Sequence, residues 1–248
     1  MPELAGVLPP GSVIGIVGNG QLGRMSAIAA ARLGYRVHVY GPEPDAPAAQ
    51  VAARATVAAY DDQAALEKFA AGVDVVTFEF ENVSAAGLDL LERLVPVRPS
   101  PLVLRISQDR LAEKRFLQSA KVRLAPWKAI ETEADLAASV AQLGLPAVLK
   151  TTRLGYDGKG QARLRAPADL APAFARLKPK PLVLEKFVDF AAELSVVVAR
   201  GAGGEVAVFD AVENRHHDHI LHATFAPARI DPAIAAEAGA AAVRVAEA

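Results

Sequence analysis

The chain has 248 residues, enough for one or two domains, and is 52% hydrophobic and 22% charged. This balance supports a buried core and excludes a disordered chain. Its net charge of −1 excludes a globally basic nucleic-acid-binding protein, and the absence of cysteine excludes disulfides, thiolate nucleophiles and cysteine-ligated zinc. No apolar run reaches the roughly 18–20 residues of a membrane span, and the N-terminus lacks a basic signal-peptide start, so we expect a soluble cytoplasmic protein.

The first hundred residues alternate between predicted strands and helices. The predicted strands are Ser12–Val17, Arg36–Tyr40 and Val73–Phe78, and the predicted helices are Gln21–Leu33, Asp61–Ala70 and Ala85–Leu94. Such alternation predicts an α/β fold with a parallel sheet. Pro96, Pro99 and Pro101 then mark a boundary, so we predict one domain over residues 1–100 and a second over residues 101–248.

The second half has a different rhythm. Helices are predicted over Gln108–Ala120, Ala134–Leu143 and Pro232–Ala246, the last capped by Asp231. Strands are predicted at Trp127–Ile130, Pro146–Lys150, Gln161–Arg165, Leu182–Phe187, Leu194–Arg200 and Glu205–Val212. The glycine-rich stretch 201–204 predicts a hairpin between the last two. Strands in succession predict an antiparallel sheet, so this half is expected to be α+β.

The loop after the first strand reads Gly18-Asn19-Gly20-Gln21-Leu22-Gly23 and fits the pattern G-x-G-x-x-G. Its glycines allow a tight turn and the close approach of a phosphate to the next helix. A dinucleotide site also needs an acid at the end of the second strand, where this chain has Gly41. The pattern therefore favours a phosphate or substrate loop over an NAD site, with a plain strand–helix turn as the alternative.

Polar groups also follow the third predicted strand, at Glu79, Glu81 and Asn82. In open parallel sheets, ligands bind beyond the carboxyl ends of the strands. This end is therefore a candidate binding site, and exposed loop carboxylates are the alternative.

The segment Lys150–Arg165 contains five basic residues and one acid, a local charge of +4 in a nearly neutral chain. Its glycines let backbone N–H groups converge on an anion, and its lysines supply counter-charge. It is not a Walker A loop, because Gly160 follows Lys159 and no phosphate-binding helix is predicted. The composition predicts a hairpin that closes over a nucleotide, and a solvated hairpin tip is the alternative.

Two further segments carry weaker signals. Glu185–Val188 ends a hydrophobic strand and can offer backbone groups and a carboxylate to a purine edge. Residues 213–222 hold four of the five histidines. In one extended strand, His216 and His222 would lie on one face and His217 and His219 on the other, which disfavours a zinc site. One histidine in contact with a ligand is the favoured interpretation.

Six motifs occur in one order along the chain. They are Gly18–Met25, Thr77–Val83, Gln108–Arg110, Lys150, Gly155–Gln161 and Glu213–His216. Together they resemble the N5-carboxyaminoimidazole ribonucleotide synthetases, ATP-grasp enzymes of bacterial and fungal purine synthesis, over about residues 12–220. The resemblance implies a Rossmann-like pre-ATP-grasp domain with a parallel sheet, followed by an α+β ATP-grasp domain. It also implies a ligase that uses ATP to convert bicarbonate to carboxyphosphate and carboxylates 5-aminoimidazole ribonucleotide, releasing ADP and phosphate.

The same resemblance implies roles for individual residues. ATP would be bound by Arg110, Lys150, Gly155, Tyr156, Asp157, Gly158, Lys159, Gly160, Gln161, Glu185, Lys186, Phe187, Val188, Glu193 and His216. Of these, Arg110 and Lys150 would hold phosphates, Glu185–Val188 would bind adenine, and Glu193 would take the ribose hydroxyls. Gln21, Leu22 and Glu79 would bind the ribonucleotide, and Tyr156, Asp157 and Lys159 would be catalytic.

In the family, Mg²⁺ is held by carboxylates that follow the last helix of this chain, so we expect those ligands beyond residue 248. The ATP-grasp domain is accordingly expected to be incomplete at its C-terminus, with no metal ligand in this chain. The resemblance further implies a homodimer, with neither a nucleic acid polymer nor a membrane as partner. Two alternatives stay open: another ATP-grasp ligase, such as glycinamide ribonucleotide transformylase or biotin carboxylase, and an inactive nucleotide-binding fragment.

Overall fold

The computed structural model describes residues 6–153, 160–178, 181–217 and 220–248. The chain divides into two compact units, the first ending at Gln108 and the second beginning at Asp109. Among the described residues, the first unit has one sheet and the second unit has three, and each unit has its own apolar core.

The first unit is a parallel α/β sheet flanked by helices. Its elements are β1 (Val13–Val17), α1 (Gln21–Arg32), β2 (Arg36–Gly41), β3 (Arg54–Val57), α2 (Gln63–Ala70), β4 (Val75–Phe78), α3 (Ala85–Leu94) and α4 (Pro101–Ser107). The strand order is β3-β2-β1-β4, and every pairing is parallel. The predicted parallel sheet is confirmed, and β3 adds an edge strand that was not predicted.

Alternate residues of the central strands face opposite sides of this sheet. Val17 and Tyr40 pack in a cluster with α2 and α3, whereas Ile16 and Val39 pack in a cluster with α1. Strand β1 is paired with β2 on one side and with β4 on the other, and Val17 lies opposite Phe78. The loops that follow β1 and β4 therefore lie side by side where the strand order reverses, the usual ligand position in such sheets.

The second unit is α+β. Its helices are α5 (Arg110–Ser119), α6 (Glu133–Leu143), α7 (Leu170–Leu177, after a 3₁₀ turn at Pro167–Asp169) and α8 (Pro232–Glu247). Its strands are β5 (Trp127–Ile130), β6 (Ala147–Thr151), β7 (Gln161–Leu164), β8 (Leu182–Lys186), β9 (Glu193–Ser195), β10 (Val198–Arg200), β11 (Val206–Val208), β12 (Val212–His217) and β13 (Ile220–Phe225). They form sheets in the orders β5-β8-β6-β7, β13-β12-β9 and β10-β11, all antiparallel, which confirms the α+β prediction.

The four-stranded sheet has one apolar and one polar face. Leu149, Leu164 and Leu182 pack with α6 and α7 in the core of the unit. The residues that alternate with the core residues form the opposite side, which we call the polar face: Trp127, Val148, Lys150, Gln161, Arg163 and Glu185. Directly paired residues of antiparallel strands share a face, so these side chains are neighbours.

Two parts of the second unit differ from the prediction. The stretch predicted as one strand, Leu194–Arg200, forms the separate strands β9 and β10, and the predicted strand Glu205–Val212 contains the shorter β11. Residues 213–222 are not one extended strand, because β12 and β13 pair as antiparallel neighbours with His217 opposite Ile220. The rings of His217 and His222 are therefore adjacent, with centroids 6.4 Å apart, instead of lying on opposite faces. His219 lies outside the described residues.

The last helix begins as predicted, with the Asp231 carboxylate accepting a hydrogen bond of 2.8 Å from the Ala233 N–H. Across the described parts of the chain, no helix has the length and apolar character needed to cross a bilayer.

Candidate functional site

The glycine loop of the first unit begins with a backbone conformation that favours glycine. Gly18 has φ +116°, and a Cβ there would lie 2.7 Å from Glu79 Oε1. A Cβ on Gly23, in the first turn of α1, would lie 2.9 Å from the Gly18 carbonyl oxygen. Glycine at these two positions therefore allows the loop, the helix and the Glu79 carboxylate to pack closely.

Asn19 anchors the other side of this loop. Its side chain is buried, its Nδ2 donates to the Glu43 carbonyl at 2.9 Å, and its carbonyl accepts from the Ala48 N–H at 3.0 Å. A Cβ at Gly41 would lie within 2.7 Å of Asn19 Nδ2. An acid at position 41, the ribose ligand of an NAD site, would therefore displace Asn19.

Glu79 follows β4 and faces the glycine loop. Its backbone N–H donates to the Val17 carbonyl, and its Oε1 accepts from the Gly20 N–H, both at 3.2 Å. The two loops border a cleft of about 400 Å³ lined by Asn19, Gly20, Gln21, Leu22, Glu43, Ala46, Pro47, Tyr60, Glu79 and Phe80. The structure thus brings together at one cleft the three residues predicted for the ribonucleotide: Gln21, Leu22 and Glu79.

Three residues of this cleft were missed by the sequence reasoning. Burial, and then the charges of Glu43 and Glu79, raise the pKa of Tyr60 to about 12, so its hydroxyl keeps its proton at neutral pH. Phe80 adds a partly exposed ring beside Leu22. Phe80 adjoins Glu79 in a motif already singled out, but no local pattern marks Tyr60 or Glu43. The cleft offers acceptors, a phenol and apolar walls to a ligand with both hydroxyl and apolar groups.

In the second unit, Glu185 lies between two lysines on the polar face. Lys150 Nζ is 2.9 Å from Glu185 Oε2, and Lys114 Nζ is 3.0 Å from Oε1. Strand pairing sets Glu185 opposite Val148 and so diagonal to Lys150, whereas Lys114 reaches it from α5. The sequence motifs point to Glu185 and Lys150 but not to Lys114. Its one available signal was the helical spacing of four residues from Arg110, which places both on one side of α5.

Charge and burial act against each other in this cluster. Burial raises the pKa of Glu185, but the hydrogen bond and charge of Lys150, joined by Lys114, outweigh burial and hold that pKa below its ordinary value. Burial also raises the pKa of Glu113, with Glu185 adding to the rise and Arg110, Lys114 and Lys150 opposing it. Glu185 is therefore ionised at neutral pH. The cluster formed by Lys114, Lys150 and Glu185 then has one positive charge in excess.

The predicted flap joins β6 to β7, which are antiparallel neighbours as a hairpin requires. Its residues Gly155, Tyr156, Asp157, Gly158 and Lys159 lie outside the described residues. At its base, the Thr151 N–H donates to the Gly160 carbonyl at 2.9 Å, and Gln161 lies opposite Lys150. The base of the flap is thus adjacent to the lysine predicted to hold phosphates.

The start of α5 is fixed beside this base. Asp109 caps the helix, accepting from the Leu111 and Ala112 N–H groups at 2.9 and 3.1 Å. The Arg110 N–H donates to the Thr152 carbonyl at 2.9 Å, and Arg153 Nε lies 3.5 Å from Asp109 Oδ2. These contacts bring the helix turn that carries Arg110 to the end of β6.

Part of the predicted adenine-binding segment, Glu185–Val188, already has its backbone N–H groups hydrogen-bonded within the protein. The Lys186 and Phe187 N–H groups donate to the carbonyls of Pro126 and Pro146 at 2.9 and 3.2 Å. The Arg163 guanidinium lies 3.9 Å from the centroid of the Phe187 ring. Val188 is exposed just beyond β8, so it is the predicted residue best placed to offer backbone groups to a ligand.

Glu193 and His216 lie on neighbouring strands of the three-stranded sheet. Glu193 pairs with Asn214 across β9 and β12, and His216 Nδ1 lies 3.6 Å from Glu193 Oε2. Thr224 Oγ1 donates to Asn214 Oδ1 at 3.0 Å and ties β13 to this pair of strands. The structure therefore brings together two residues predicted to bind the nucleotide.

No group of three or more His, Asp or Glu side chains placed to hold a metal ion occurs among residues 6–153, 160–178, 181–217 and 220–248. The histidine-rich hairpin, as far as it is described, is included in that statement. We therefore assign no metal ligand to these parts of the chain.

Comparison with known proteins divides the chain into the same two units as the structure. A ribonucleotide synthetase preATP-grasp domain matches residues 12–108, and an ATP-grasp domain matches residues 115–248. The N5-carboxyaminoimidazole ribonucleotide synthase of Brucella melitensis is 49% identical over 225 residues, which are 90% of this chain and 62% of that protein.

Solved structures of proteins with the same name are also similar to this chain. The ADP complex of an N5-carboxyaminoimidazole ribonucleotide synthetase has a TM-score of 0.94 and 40% identity, covering 98% of this chain and 65% of its own. The synthase from Aspergillus clavatus in complex with ADP and 5-aminoimidazole ribonucleotide has a TM-score of 0.86 and 30% identity, covering 95% and 62%. The chain thus spans less than two thirds of the length of these relatives.

Proposed function

The chain belongs to the ATP-grasp family, and from that premise we propose that the protein carboxylates 5-aminoimidazole ribonucleotide with bicarbonate, using ATP. The products would be N5-carboxyaminoimidazole ribonucleotide, ADP and phosphate. Relatives that carry the name of this synthase support the proposal, as does the relative with bound ADP and 5-aminoimidazole ribonucleotide. The observation that carries it is the first-unit cleft with Gln21, Leu22 and Glu79, because the substrate distinguishes this ligase from others that share the ATP-grasp domain.

In this proposal the cleft binds the ribonucleotide. Glu79 accepts hydrogen bonds from the ribose hydroxyls, and Leu22, which is 58% exposed, packs on the apolar part of the ligand. The helix α1 begins at Gln21 without a capping side chain from Gly20, so its first N–H groups and the Gln21 amide are available to the phosphate.

The second unit binds ATP in this proposal. Lys150 and Arg110 hold phosphates, and Gly155–Gln161 closes over them. Glu185–Val188 binds adenine, Glu193 accepts from the ribose hydroxyls, and His216 contacts the nucleotide. The excess positive charge of the Lys114–Glu185–Lys150 cluster suits a polyphosphate, since charge-assisted hydrogen bonds to phosphate are among the stronger polar contacts.

The proposed reaction has two steps. A bicarbonate oxygen bonds to the γ-phosphorus as the bond to the bridging oxygen of ADP breaks, which gives carboxyphosphate. The ribonucleotide amine then attacks the carboxyl carbon and loses a proton, and phosphate leaves with the oxygen that came from bicarbonate. We propose Tyr156, Asp157 and Lys159 as catalytic residues of this step. Closure of the flap would keep water from the labile intermediate.

Mg²⁺ belongs to the proposal as a cofactor that would neutralise phosphate charge. The described residues supply no ligand cluster for it, so no step is assigned to it here. A homodimer and a cytoplasmic location are likewise proposals. Size-exclusion chromatography with light scattering, and cell fractionation, test those two.

Phosphate release is the test of the substrate assignment. We expect the protein to release phosphate from ATP only when 5-aminoimidazole ribonucleotide and bicarbonate are both present. Glu79→Gln should raise the KM for the ribonucleotide by about tenfold or more, the scale of one charge-assisted hydrogen bond, and leave the KM for ATP unchanged. Phosphate release that is unaffected by omitting the ribonucleotide, or supported equally by formate, would contradict the assignment.

A further inference from the structure

The Glu185 carboxylate has one lysine on each oxygen, although one cation would neutralise it. Lys114 Nζ lies 3.0 Å from Oε1 and Lys150 Nζ lies 2.9 Å from Oε2. The Glu185 side chain is only 13% exposed. A carboxylate this far removed from water is costly without a partner. With two partners, one lysine can leave for another anion and the other still neutralises the acid.

The two lysines differ in how free they are to leave. The Lys114 side chain is 12% exposed, whereas that of Lys150 is 21% exposed. Lys114 projects from α5, whose first turn is held by the Asp109 cap and by the bond from the Arg110 N–H to the Thr152 carbonyl. Lys150 lies near the end of β6, one residue before the base of the flap. Lys150 is therefore the lysine that can turn to a ligand.

From this geometry we propose that Lys114 is a positioning residue that neutralises and holds Glu185 while Lys150 exchanges the Glu185 carboxylate for a phosphate of the bound adenine nucleotide. The inference rests on the proposed function for the identity of the ligand. No bond is made or broken in the exchange. Without Lys114, Glu185 would still hold Lys150, and the phosphate would have to compete with a buried carboxylate for that lysine.

The test compares ATP with adenosine. In Lys114→Met, we expect the Kd for ATP to rise by about tenfold or more, as for the loss of a charge-assisted hydrogen bond, while the Kd for adenosine is unchanged. Lys114→Arg should restore ATP binding, because it keeps the charge. In the double variant with Glu185→Gln added, the ratio of the Kd for ATP to the Kd for adenosine should fall back toward the wild-type ratio, because the competing charge is gone and any change at the adenine site affects both ligands. Trp127, the only tryptophan, lies opposite Glu185 on the polar face, so its fluorescence reports binding.

Lys128→Met, which removes an exposed lysine of β5, is the matched control and should leave both constants unchanged. Equal weakening of ATP and adenosine in Lys114→Met, or a ratio of the two constants that stays at the Lys114→Met value in the double variant, would overturn the inference. An unchanged Kd for ATP in Lys114→Met would overturn it too, while leaving the proposed function standing. Failure of the wild-type protein to bind ATP would overturn both.

Discussion

Glycine and carboxylate positions in the first unit depend on each other. Gly18 has φ +116°, and a Cβ there would meet the Glu79 carboxylate. The same carboxylate accepts from the Gly20 N–H. The G-x-G-x-x-G pattern thus serves here to admit an acid from a different strand beside the start of α1. This explains why the pattern occurs without the acid at position 41 that an NAD site needs.

His38 is a residue whose protonation should affect stability. It is buried on β2, its ring lies edge-on to Phe69 at 4.8 Å, and its Nε2 lies 2.8 Å from Thr56 Oγ1. Burial, and then the charge of Arg54, lower the pKa of His38 below 6.5. The unfolded chain therefore takes up a proton at this residue more readily than the folded chain.

The consequence is a loss of stability in acid. The contribution of neutral His38 is fully present above pH 6.5 and falls as the pH drops below that value, by at most about 1.4 kcal/mol per pH unit. We expect urea unfolding to show a steeper loss between pH 7 and 5 for the wild type than for His38→Gln. His222→Gln, which changes an exposed histidine, should keep the wild-type slope. Equal slopes for the wild type and His38→Gln would refute the assignment.

At the scale of elements, α5 connects helix capping to the chemistry of the polar face. It is a ten-residue helix with no fully buried residue. Its start is held by the Asp109 cap, and it carries Lys114 to Glu185. Loss of the cap should therefore affect the cluster as well as the helix.

Asp109→Ala tests this connection. We expect the free energy of unfolding to fall by about 1 kcal/mol, the usual cost of losing an N-cap, and ATP binding to weaken as Lys114 shifts. Asp62→Ala is the matched control, because Asp62 caps α2 in the other unit by accepting from the Ala65 N–H. It should cost similar stability and leave ATP binding unchanged. Equal effects of the two variants on ATP binding would show that α5 does not position the cluster.

Elements with strong local signals were predictable from the sequence. Strand β1 and the Asp231 cap lie where the sequence pattern predicts them. Strand β3 was missed because its four residues lie at the sheet edge with little burial, so no alternating apolar pattern marks them. The β12–β13 hairpin was not predicted for two reasons. Its strands carry exposed histidines in place of an alternating apolar pattern, and the sequence between them contains no glycine to signal a turn.

The candidate sites were predictable only in part, for a related reason. Glu79 and Lys150 sit in motifs that can be recognised locally, so both were named. Tyr60 and Lys114 acquire their roles from tertiary contacts with residues 19 and 71 positions away, Glu79 and Glu185 respectively. Local sequence patterns carry no information about partners that are so far apart along the chain.

The whole molecule is nearly neutral, but its two units carry candidate sites of different chemistry. The first unit offers carboxylates, a phenol and apolar walls at the switch point of its sheet. The second unit concentrates positive charge on one sheet face, around Glu185. This division suits the proposed ligase, in which the first unit would bind a ribonucleotide and the second unit would bind ATP.

In the proposed reaction, ATP activates bicarbonate and the activated carboxyl group passes to the ribonucleotide amine. The most direct measurement follows ¹⁸O from labelled bicarbonate during turnover with ATP and 5-aminoimidazole ribonucleotide. The account predicts that each phosphate released carries one ¹⁸O atom, because the bicarbonate oxygen stays bonded to phosphorus when the amine attacks. Phosphate without ¹⁸O, released at the same rate as product, would contradict the account.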